Sequence, residues 1–316
     1  MDWSAVIGAG AIIPLLAAGV RLALPTAIAA VGETVTERSG VINLGVEGMM
    51  VAGAVGAFLG EWYSGSAWLG ALCGIGAAIA LGALHAVLVI NMKLDQVVTG
   101  VMLVLLGVSL SDFTYDSIFG SASPPRVDGF AAADIPVLSS LPAVGVIIFQ
   151  QPAIVYVAAA MCVAAWWLMH RTTLGLTIRA AGEDPDTLDA SGRSVTRVRW
   201  TAVLIGAGMA GLGGGVLVLS QIRLYTFGSV AGRGWIAVAM VILSRWSIPG
   251  AVGGAFVFGV ADSFQIRVQA ASGGLNSDVP VEFFQALPYL MTLVVLVVAS
   301  VNERRTAMPA ALGVPH

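Results

Sequence analysis

The residues that could support enzyme chemistry are few in this chain and stand far apart. Catalysis in an apolar environment would need paired ionisable groups held close together. The candidates occur one per apolar stretch: Glu47, His85, Asp112 and Asp262. The chain contains no GxSxG or HExxH pattern and no Ser/His/Asp cluster within one hydrophilic region. The sequence therefore predicts that this chain is not an enzyme.

Nucleotide and metal sites lack their usual signatures as well. Lys93 is the only lysine and is followed by Leu-Asp-Gln, so the Gly-Lys-Ser/Thr of a P-loop is absent. VIGAGAII at 6–13 and AGRGWIA at 231–237 approximate GxGxxG, but neither follows a strand nor opens a soluble βαβ unit. Cys73, Cys162 and the histidines show no metal-ligand spacing. We therefore expect this chain to bind no cofactor and no metal.

The composition indicates which environment the elements must occupy. Hydrophobic residues make up 58% of the 316 residues, charged residues make up 10%, and the mean hydropathy is +0.90. Soluble domains carry about 25% charged residues, so most of this surface must face lipid. The net charge of -3 gives no support for a nucleic-acid partner. The expected fold is all-α, a polytopic transmembrane helix bundle that forms one domain over residues 1–316.

Apolar windows of about 19 residues locate the membrane segments. They lie near 5–31, 41–60, 67–90, 95–112, 152–169, 200–220, 229–244, 249–266 and 283–301. Pro14, Arg21 and Pro25 interrupt the first window, which predicts either one tilted crossing or a crossing with a short re-entrant piece. The expected number of membrane segments is therefore eight to ten. The start MDWSAVIG lacks the basic region of a signal peptide, so no cleaved leader is expected.

The distribution of arginine and lysine predicts the orientation. If 171–199 is cytoplasmic, ten cationic residues fall on that side and four on the other, with Arg21 unassigned. The ten are Arg38, Lys93, Arg171, Arg179, Arg193, Arg197, Arg199, Arg245, Arg304 and Arg305; the four are Arg126, Arg223, Arg233 and Arg267. The C-terminus is therefore expected in the cytoplasm. Residues 113–151 are expected outside, with a short helix at 137–149.

Small residues recur at a spacing that favours close helix packing. The pairs at GxxxG spacing are Gly56/Gly60, Gly211/Gly215 and Gly250/Gly254. Helices in lipid associate through van der Waals packing, which is closest where small residues let the backbones approach. The spacing predicts packing inside the bundle and indicates nothing about a substrate.

The stretch 171–199 holds five arginines and four acids in an otherwise apolar chain. Its segment GEDPDTLDASGR carries the signals of a short helix of about two turns. These are an N-cap at Asp184, proline at the first helical position at Pro185, early acids at Asp186 and Asp189, and a glycine stop at Gly192. The pattern fits a docking element for a partner, and a solvated connector is the alternative.

This stretch resembles the cytoplasmic coupling loop of ABC-importer permeases of the branched-chain amino acid and ribose class, which carries R-A-x-G-E-N-P-x-A-A-x-x-x-G. The matching residues are Arg179, Ala180, Gly182, Glu183, Pro185, Ala190 and Gly192. The sequence departs from the pattern at Asp184, Thr187 and Leu188. The resemblance implies contact with an ATPase through Arg179, Gly182, Glu183, Asp184, Pro185, Asp186, Ala190 and Gly192.

A second block, ERSGVINLGVEGMMVAGAVGAF at 37–58, is similar to the nucleoside branch of the same class, which carries R-x-G-x-x-N-L-G-x-E-G-x-M. The matching residues are Arg38, Gly40, Asn43, Leu44, Gly45, Glu47, Gly48 and Met49. Glycines around polar Asn43 and Glu47 suit an unwound helix start that lines a pathway. A helix start capped by its own N-terminal acid is the alternative. Residues 227–263 and 286–297 also match this branch, which implies a helix, a tight turn around Ser247 to Gly250, and a second helix.

The resemblance implies a machine of several subunits in the bacterial plasma (inner) membrane. This chain would be the nucleoside permease, joined by a second and usually unlike permease, an ATPase subunit that binds ATP and Mg²⁺, and an extracytoplasmic substrate-binding lipoprotein. The polar and aromatic candidates for the substrate path are Asn43, Glu47, Gln96, Thr99, Ser109, Ser220, Gln221, Trp235, Asp262, Phe264 and Gln265. For most of them, helix–helix hydrogen bonding or packing is the alternative. A permease for ribose-like sugars or branched-chain amino acids and a secondary transporter are the rival functions.

Overall fold

The computed structural model describes residues 9–120, 125–134, 139, 141, 143–271, 283, 286, 289–290, 294 and 308–315. Its α-helices are α1 (Ala9–Arg38), α2 (Val46–Ser64), α3 (Ala67–Ala86), α4 (Gln96–Phe119), α5 (Ala153–Arg171), α6 (Thr173–Glu183), α7 (Pro185–Ala190), α8 (Val195–Val216), α9 (Arg233–Leu243) and α10 (Ile248–Ala271). The segments Val87–Asn91, Gly145–Phe149 and Leu217–Ile222 are π-helical. A short antiparallel pair joins β1 (Ala132–Asp134) to β2 (Gln150–Pro152).

The predicted transmembrane bundle is confirmed. Among the described residues, 6 helices are long and apolar enough to cross a membrane: Gly10–Arg38, Ala67–Asn91, Gln96–Phe119, Ala153–Arg171, Val195–Ile222 and Ile248–Ala271. α2 lies at the centre, where α3, α4 and α8 pack around it and bury most of its side chains. The predicted segment 283–301 falls largely outside the described residues, so the number of crossings stays a prediction.

The first segment is one continuous helix, although Pro14 and Pro25 lie inside it. Proline lacks an N–H, so Pro25 leaves the carbonyl of Arg21 without its helical donor. The Gln221 side chain donates a hydrogen bond to that carbonyl at 2.6 Å. A neighbouring side chain thus satisfies the freed backbone group, as a transmembrane helix with an internal proline requires. Of the two alternatives for 5–31, the structure supports the unbroken helix.

Two loop predictions differ in detail from the structure. The turn expected around Ser247 to Gly250 lies earlier, at residues 244–247, where Arg245 and Trp246 have positive φ angles of 56°. Pro249 then occupies the first turn of α10, a position that needs no N–H. The helix expected at 137–149 is described chiefly at its end, as the π-helical Gly145–Phe149. That stretch leads into β2, which closes the predicted outer excursion against β1.

Glycine contacts set the closest approach of α2 to its neighbours. A Cβ placed on Gly53 would lie 2.5 Å from the Cα of Gly211 on α8, and one on Gly60 would lie 2.7 Å from the Cβ of Cys73 on α3. A Cβ on Gly56 would lie 3.0 Å from the Cβ of Ala77, and one on Gly211 would lie 2.5 Å from the Cβ of Ala78, so the GxxxG prediction of close packing is confirmed where α2 and α8 cross α3. These crossings hold the middle and the last turns of α2 against α3 and α8.

We predict that Gly53→Ala destabilises the protein by roughly 1–3 kcal/mol, the usual cost of an added methyl group in a filled core. Gly76→Ala is the matched control, because a Cβ on this glycine of α3 meets nothing within 4 Å. Thermal unfolding in detergent measures both variants. Equal unfolding temperatures for Gly53→Ala and Gly76→Ala would contradict the close crossing.

Candidate functional site

Helix α9 is a half-helix whose N-terminus lies inside the bundle. Its 11 residues extend over about 16 Å, roughly half of a 30 Å hydrocarbon core. The Oε1 atom of Glu47 accepts a hydrogen bond from the N–H of Gly232 at 2.9 Å, and its Oε2 atom accepts one from the N–H of Gly234 at 2.7 Å. Glu47, a residue of α2, therefore caps the N-terminus of α9. Neither of the two roles considered for it from the sequence, lining a pathway or capping its own helix, included this one.

A polar cavity opens beside this capped N-terminus. Its volume is about 370 Å³, and its lining consists of Ala231, Arg233, Phe258, Asp262, Gln265, Ile266, Gln269 and Tyr289. Within this lining, Arg233 of α9 forms a salt bridge with Asp262 of α10, with 3.1 Å between Nη2 and Oδ2. The rings of Phe258 and Tyr289 meet edge to face with centroids 6.0 Å apart. The cavity thus offers both charged hydrogen-bonding groups and aromatic surface.

The segment that leads into α2 is unwound, as one of the two alternatives predicted. Side chains satisfy its backbone: Gln96 Oε1 accepts from the N–H of Ile42 at 2.7 Å, and His85 Nε2 lies 3.1 Å from the Ile42 carbonyl oxygen. Glu33 accepts hydrogen bonds from the backbone N–H and the amide group of Asn43, both at 3.2 Å. Irregular backbone at membrane depth needs such partners. Asn43 and Gln96 therefore hold the unwound segment in place.

The remaining path candidates are dispersed. Asp262 and Gln265 line the polar cavity beside Glu47, and Thr99 is buried one turn beyond Gln96 on α4. Trp235 is 42% exposed on α9, and Ser109 is exposed on the outer face of α4. Ser220 donates a hydrogen bond to the Val216 carbonyl of its own helix, Gln221 donates to Arg21, and Phe264 is half-buried on α10.

Several buried residues were missed at the sequence level. Glu33 and Glu37 are both almost fully buried near the end of α1, and Glu37 accepts a hydrogen bond from the indole N–H of Trp246. Their spacing of four residues on one helical face was a usable signal. Arg233 was assigned to an outer loop, whereas the structure places it in the polar cavity, and Arg199 is buried in α8 with 3% exposure. Removing both from the predicted tally leaves nine cationic residues against three, so the predicted orientation is unchanged.

The predicted short helix in the charged stretch is confirmed as α7. The Asp184 carboxylate accepts hydrogen bonds from the backbone N–H and the hydroxyl of Thr187 at 3.0 and 2.5 Å. The hydroxyl bond, followed by the backbone bond, lowers the pKa of Asp184. Gly192 ends the helix with a φ of +80°, which glycine adopts readily. Leu188 is buried against Ala181 and Val195 and fixes α7 to the bundle.

α6 precedes α7 within the charged stretch and was not predicted. Its N-cap is Thr172, whose hydroxyl accepts a hydrogen bond from the N–H of Gly175 at 3.1 Å. At its other end, a Cβ on Gly182 would lie 2.3 Å from the carbonyl oxygen of Arg38. α6 therefore packs directly on the connection that leads from α1 to Asn43 and Glu47.

The segment 308–315 contacts both the end of α6 and the connection that follows α1. The Ala311 N–H donates to the Gly182 carbonyl at 2.8 Å, and the Gly313 N–H donates to the Gly40 carbonyl at 3.0 Å. Arg199 donates to the carbonyls of Ser39 and Val314, at 3.2 and 3.0 Å. The segment thus joins the base of α7, the unwound segment and α8.

Comparisons with known proteins agree with this architecture. The family described as "Branched-chain amino acid transport system / permease component" matches residues 15–296. A Haloferax volcanii protein named "Putative glucose ABC transporter permease protein" is 39% identical, covering 94% of this chain and 95% of its own length. A Bacillus subtilis guanosine ABC transporter permease protein is 32% identical over 93% of each chain. A Lactococcus lactis nucleoside ABC transporter permease protein is 29% identical over 86% of this chain and 87% of its own.

No solved structure matches this chain. The family match covers most of the sequence, including the unwound segment, the residues that line the polar cavity and the charged stretch 171–199. Its members are permease subunits, which are transport proteins rather than enzymes, and the relatives resemble this chain over nearly their whole lengths. This chain belongs to the permease component family of branched-chain amino acid transport systems and is a multi-pass membrane permease of an ABC importer.

Proposed function

We propose that this permease translocates nucleosides through the polar cavity between α9 and α10. The observation that carries the proposal is the position of Glu47. This residue belongs to the NLGVEGMM block that resembles the nucleoside branch, and its carboxylate fixes the half-helix beside the cavity. The block therefore supplies the residue that caps α9 next to the proposed substrate path.

The lining of the cavity suits a nucleoside. Asp262, Gln265 and Arg233 supply donors and acceptors for sugar hydroxyls and base edges, while Phe258 and Tyr289 supply aromatic surface for a base. The volume of about 370 Å³ lies in the range of pockets for small ligands, about 300–1,000 Å³. The guanosine and nucleoside permeases among the relatives support the same class.

A sugar is the second candidate. The relative at 39% identity carries glucose in its name, and sugars also pack their apolar faces on aromatic rings while bonding to carboxylates and amides. The aromatic pair and the polar lining are compatible with either solute. Transport of labelled guanosine and labelled glucose by the reconstituted complex distinguishes them.

We propose that α7 transmits the motion of an ATPase to this path. The contacts run from α7 to Gly182, then to Arg38 and the unwound segment, and from there to Glu47 and the half-helix. Arg38 also lies 3.9 Å from Glu183, just before the cap of α7. The proposed partners are an ATPase subunit with ATP and Mg²⁺, a second permease chain and an extracytoplasmic substrate-binding lipoprotein. The domain is proposed to extend over 1–316, with 171–199 as its coupling loop and lipid around the bundle.

We further propose that 171–199 and the C-terminus face the cytoplasm of a cell whose plasma membrane holds the complex. In a variant without Cys73 and Cys162, Ser191→Cys and Ser64→Cys should react with an impermeant thiol reagent from opposite sides. Ser191 ends α7, and Ser64 ends α2 at the other end of the bundle. Labelling of both from the same side would contradict the orientation.

The path proposal predicts that Asp262→Asn lowers nucleoside transport at least tenfold. The substitution removes a charge-assisted bond to Arg233 that we expect to be worth roughly 1.5–3 kcal/mol. Asp116→Asn on the exposed face of α4 is the matched control, since it makes the same chemical change away from both the cavity and the proposed coupling loop. Uptake by proteoliposomes containing the whole complex measures both variants. Equal uptake would contradict a path through this cavity.

The coupling proposal predicts that Asp184→Ala reduces substrate-stimulated ATP hydrolysis and co-purification of the ATPase. Loss of the cap frees the N–H groups of α7, whereas Asp184→Asn keeps an acceptor and should retain coupling. The Asp184 pKa is lowered in the folded chain, so the stabilisation from its charge is present at neutral pH and is lost as the pH falls through that pKa. Unchanged ATP hydrolysis and co-purification in Asp184→Ala would contradict the coupling role and would indicate that α7 is only a connector.

A further inference from the structure

A small basic cavity lies where α1, α5 and α6 end near the turn between α9 and α10. Its volume is about 100 Å³, and its lining consists of Thr34, Arg38, Met169, His170, Arg179, Trp246 and Ile248. The volume is well below the roughly 300–1,000 Å³ of pockets that hold drug-sized ligands. The cavity can therefore admit a single small group, but not a nucleoside or a nucleotide.

The charge of this cavity is one-sided. Its charged lining residues are Arg38 and Arg179, His170 lies beside them, and none of its lining residues in the described part of the chain is acidic. The salt bridge from Arg38 to Glu183 is long, at 3.9 Å, and the other described bonds of Arg38 and Arg179 go to the Trp246 and Gly175 carbonyls. A guanidinium has five N–H donors. Donors therefore remain for an anion in the cavity.

An apolar groove adjoins the basic cavity on the membrane-facing surface. Its volume is about 450 Å³, and its lining consists of Leu24, Ala27, Ala159, Cys162, Val163, Trp166, Ile248, Pro249 and Val252. Ile248 lines both spaces, and the Trp166 ring in the groove stacks on the His170 ring of the cavity with centroids 5.3 Å apart. The two spaces therefore lie side by side, with arginines lining one and apolar side chains lining the other.

We propose that this site binds an anionic phospholipid, with the headgroup phosphate in the basic cavity and one acyl chain in the groove between α1, α5 and α10. Arginine pairs with phosphate through parallel N–H bonds. Basic pockets between transmembrane helices on the cytoplasmic side are suited to lipid headgroups. On the orientation proposed above, the lipid belongs to the inner leaflet, and its headgroup contacts Arg38 at the base of the coupling helix.

Native mass spectrometry of the permease, purified from nanodiscs that contain equal phosphatidylglycerol and phosphatidylcholine, tests the proposal. We expect phosphatidylglycerol to be retained preferentially by the unaltered protein. Arg179→Gln and His170→Gln should each lower that retention at least fivefold, while Arg197→Gln, a charge change elsewhere on the cytoplasmic side, should leave it unchanged. Equal retention of the two lipids, or loss in Arg197→Gln alone, would overturn the proposal.

The groove is tested separately. Val252→Trp fills the groove and should release the lipid, whereas Val257→Trp adds the same bulk to an exposed position of α10 outside the groove and should not. Thermal unfolding of each variant confirms that it is folded. Release by Val257→Trp as well, or no release by Val252→Trp, would overturn the acyl-chain placement.

A free phosphate ion shares the headgroup chemistry, so one arm of the test uses inorganic phosphate. For a lipid site, excess phosphate should leave most of the phosphatidylglycerol bound, because the groove holds the acyl chain. Complete displacement by phosphate, or equal thermal stabilisation by phosphate in Val252→Trp and in the unaltered protein, would instead indicate an anion site and overturn the lipid proposal.

Discussion

The two hydrogen bonds from the N–H groups of Gly232 and Gly234 to the Glu47 carboxylate are the interaction on which the interior of this bundle depends. A helix that begins at membrane depth leaves N–H groups that lipid cannot satisfy, and each such group costs several kcal/mol in hydrocarbon. A carboxylate offers two oxygens and a negative charge at the positive end of the helix. Because α9 begins beside Glu47, its first residue, Arg233, lies next to Asp262. These two residues form the charged part of the lining of the polar cavity.

The same requirement explains the polar side chains around the start of α2. The unwound backbone before this helix is accepted because Gln96, His85 and Glu33 supply its partners. The close glycine crossings then fix α2 against α3 and α8, so these partners stay aligned. α6, which leads into α7, rests on the same connection through Gly182. In the proposed coupling, a displacement of α7 would act on backbone that is irregular, polar and adjacent to the proposed path.

Local signals made some of this predictable. The cap at Asp184, the proline after it and the stop at Gly192 lie within nine residues, so the short-range rules of helix capping were sufficient. The partners of Glu47 lie 185 and 187 residues away, and no periodicity reveals such a pair. Gln221 was considered for the path because it is polar at membrane depth; its bond to the carbonyl that Pro25 leaves free depends on how α8 packs against α1. Arg233 was misplaced because α9 is half a crossing.

We infer that both carboxylate oxygens of Glu47 are needed to hold the half-helix beside the proposed path. The most direct measurement is nucleoside uptake by the reconstituted complex with Glu47→Gln, compared with Glu61→Gln on the same helix. An amide keeps only one acceptor oxygen, and Glu61 uses only one, accepting from the N–H of Gly129 at 2.6 Å. We expect intact assembly in both variants and uptake at least tenfold lower in Glu47→Gln alone. Equal uptake by the two variants would contradict this inference.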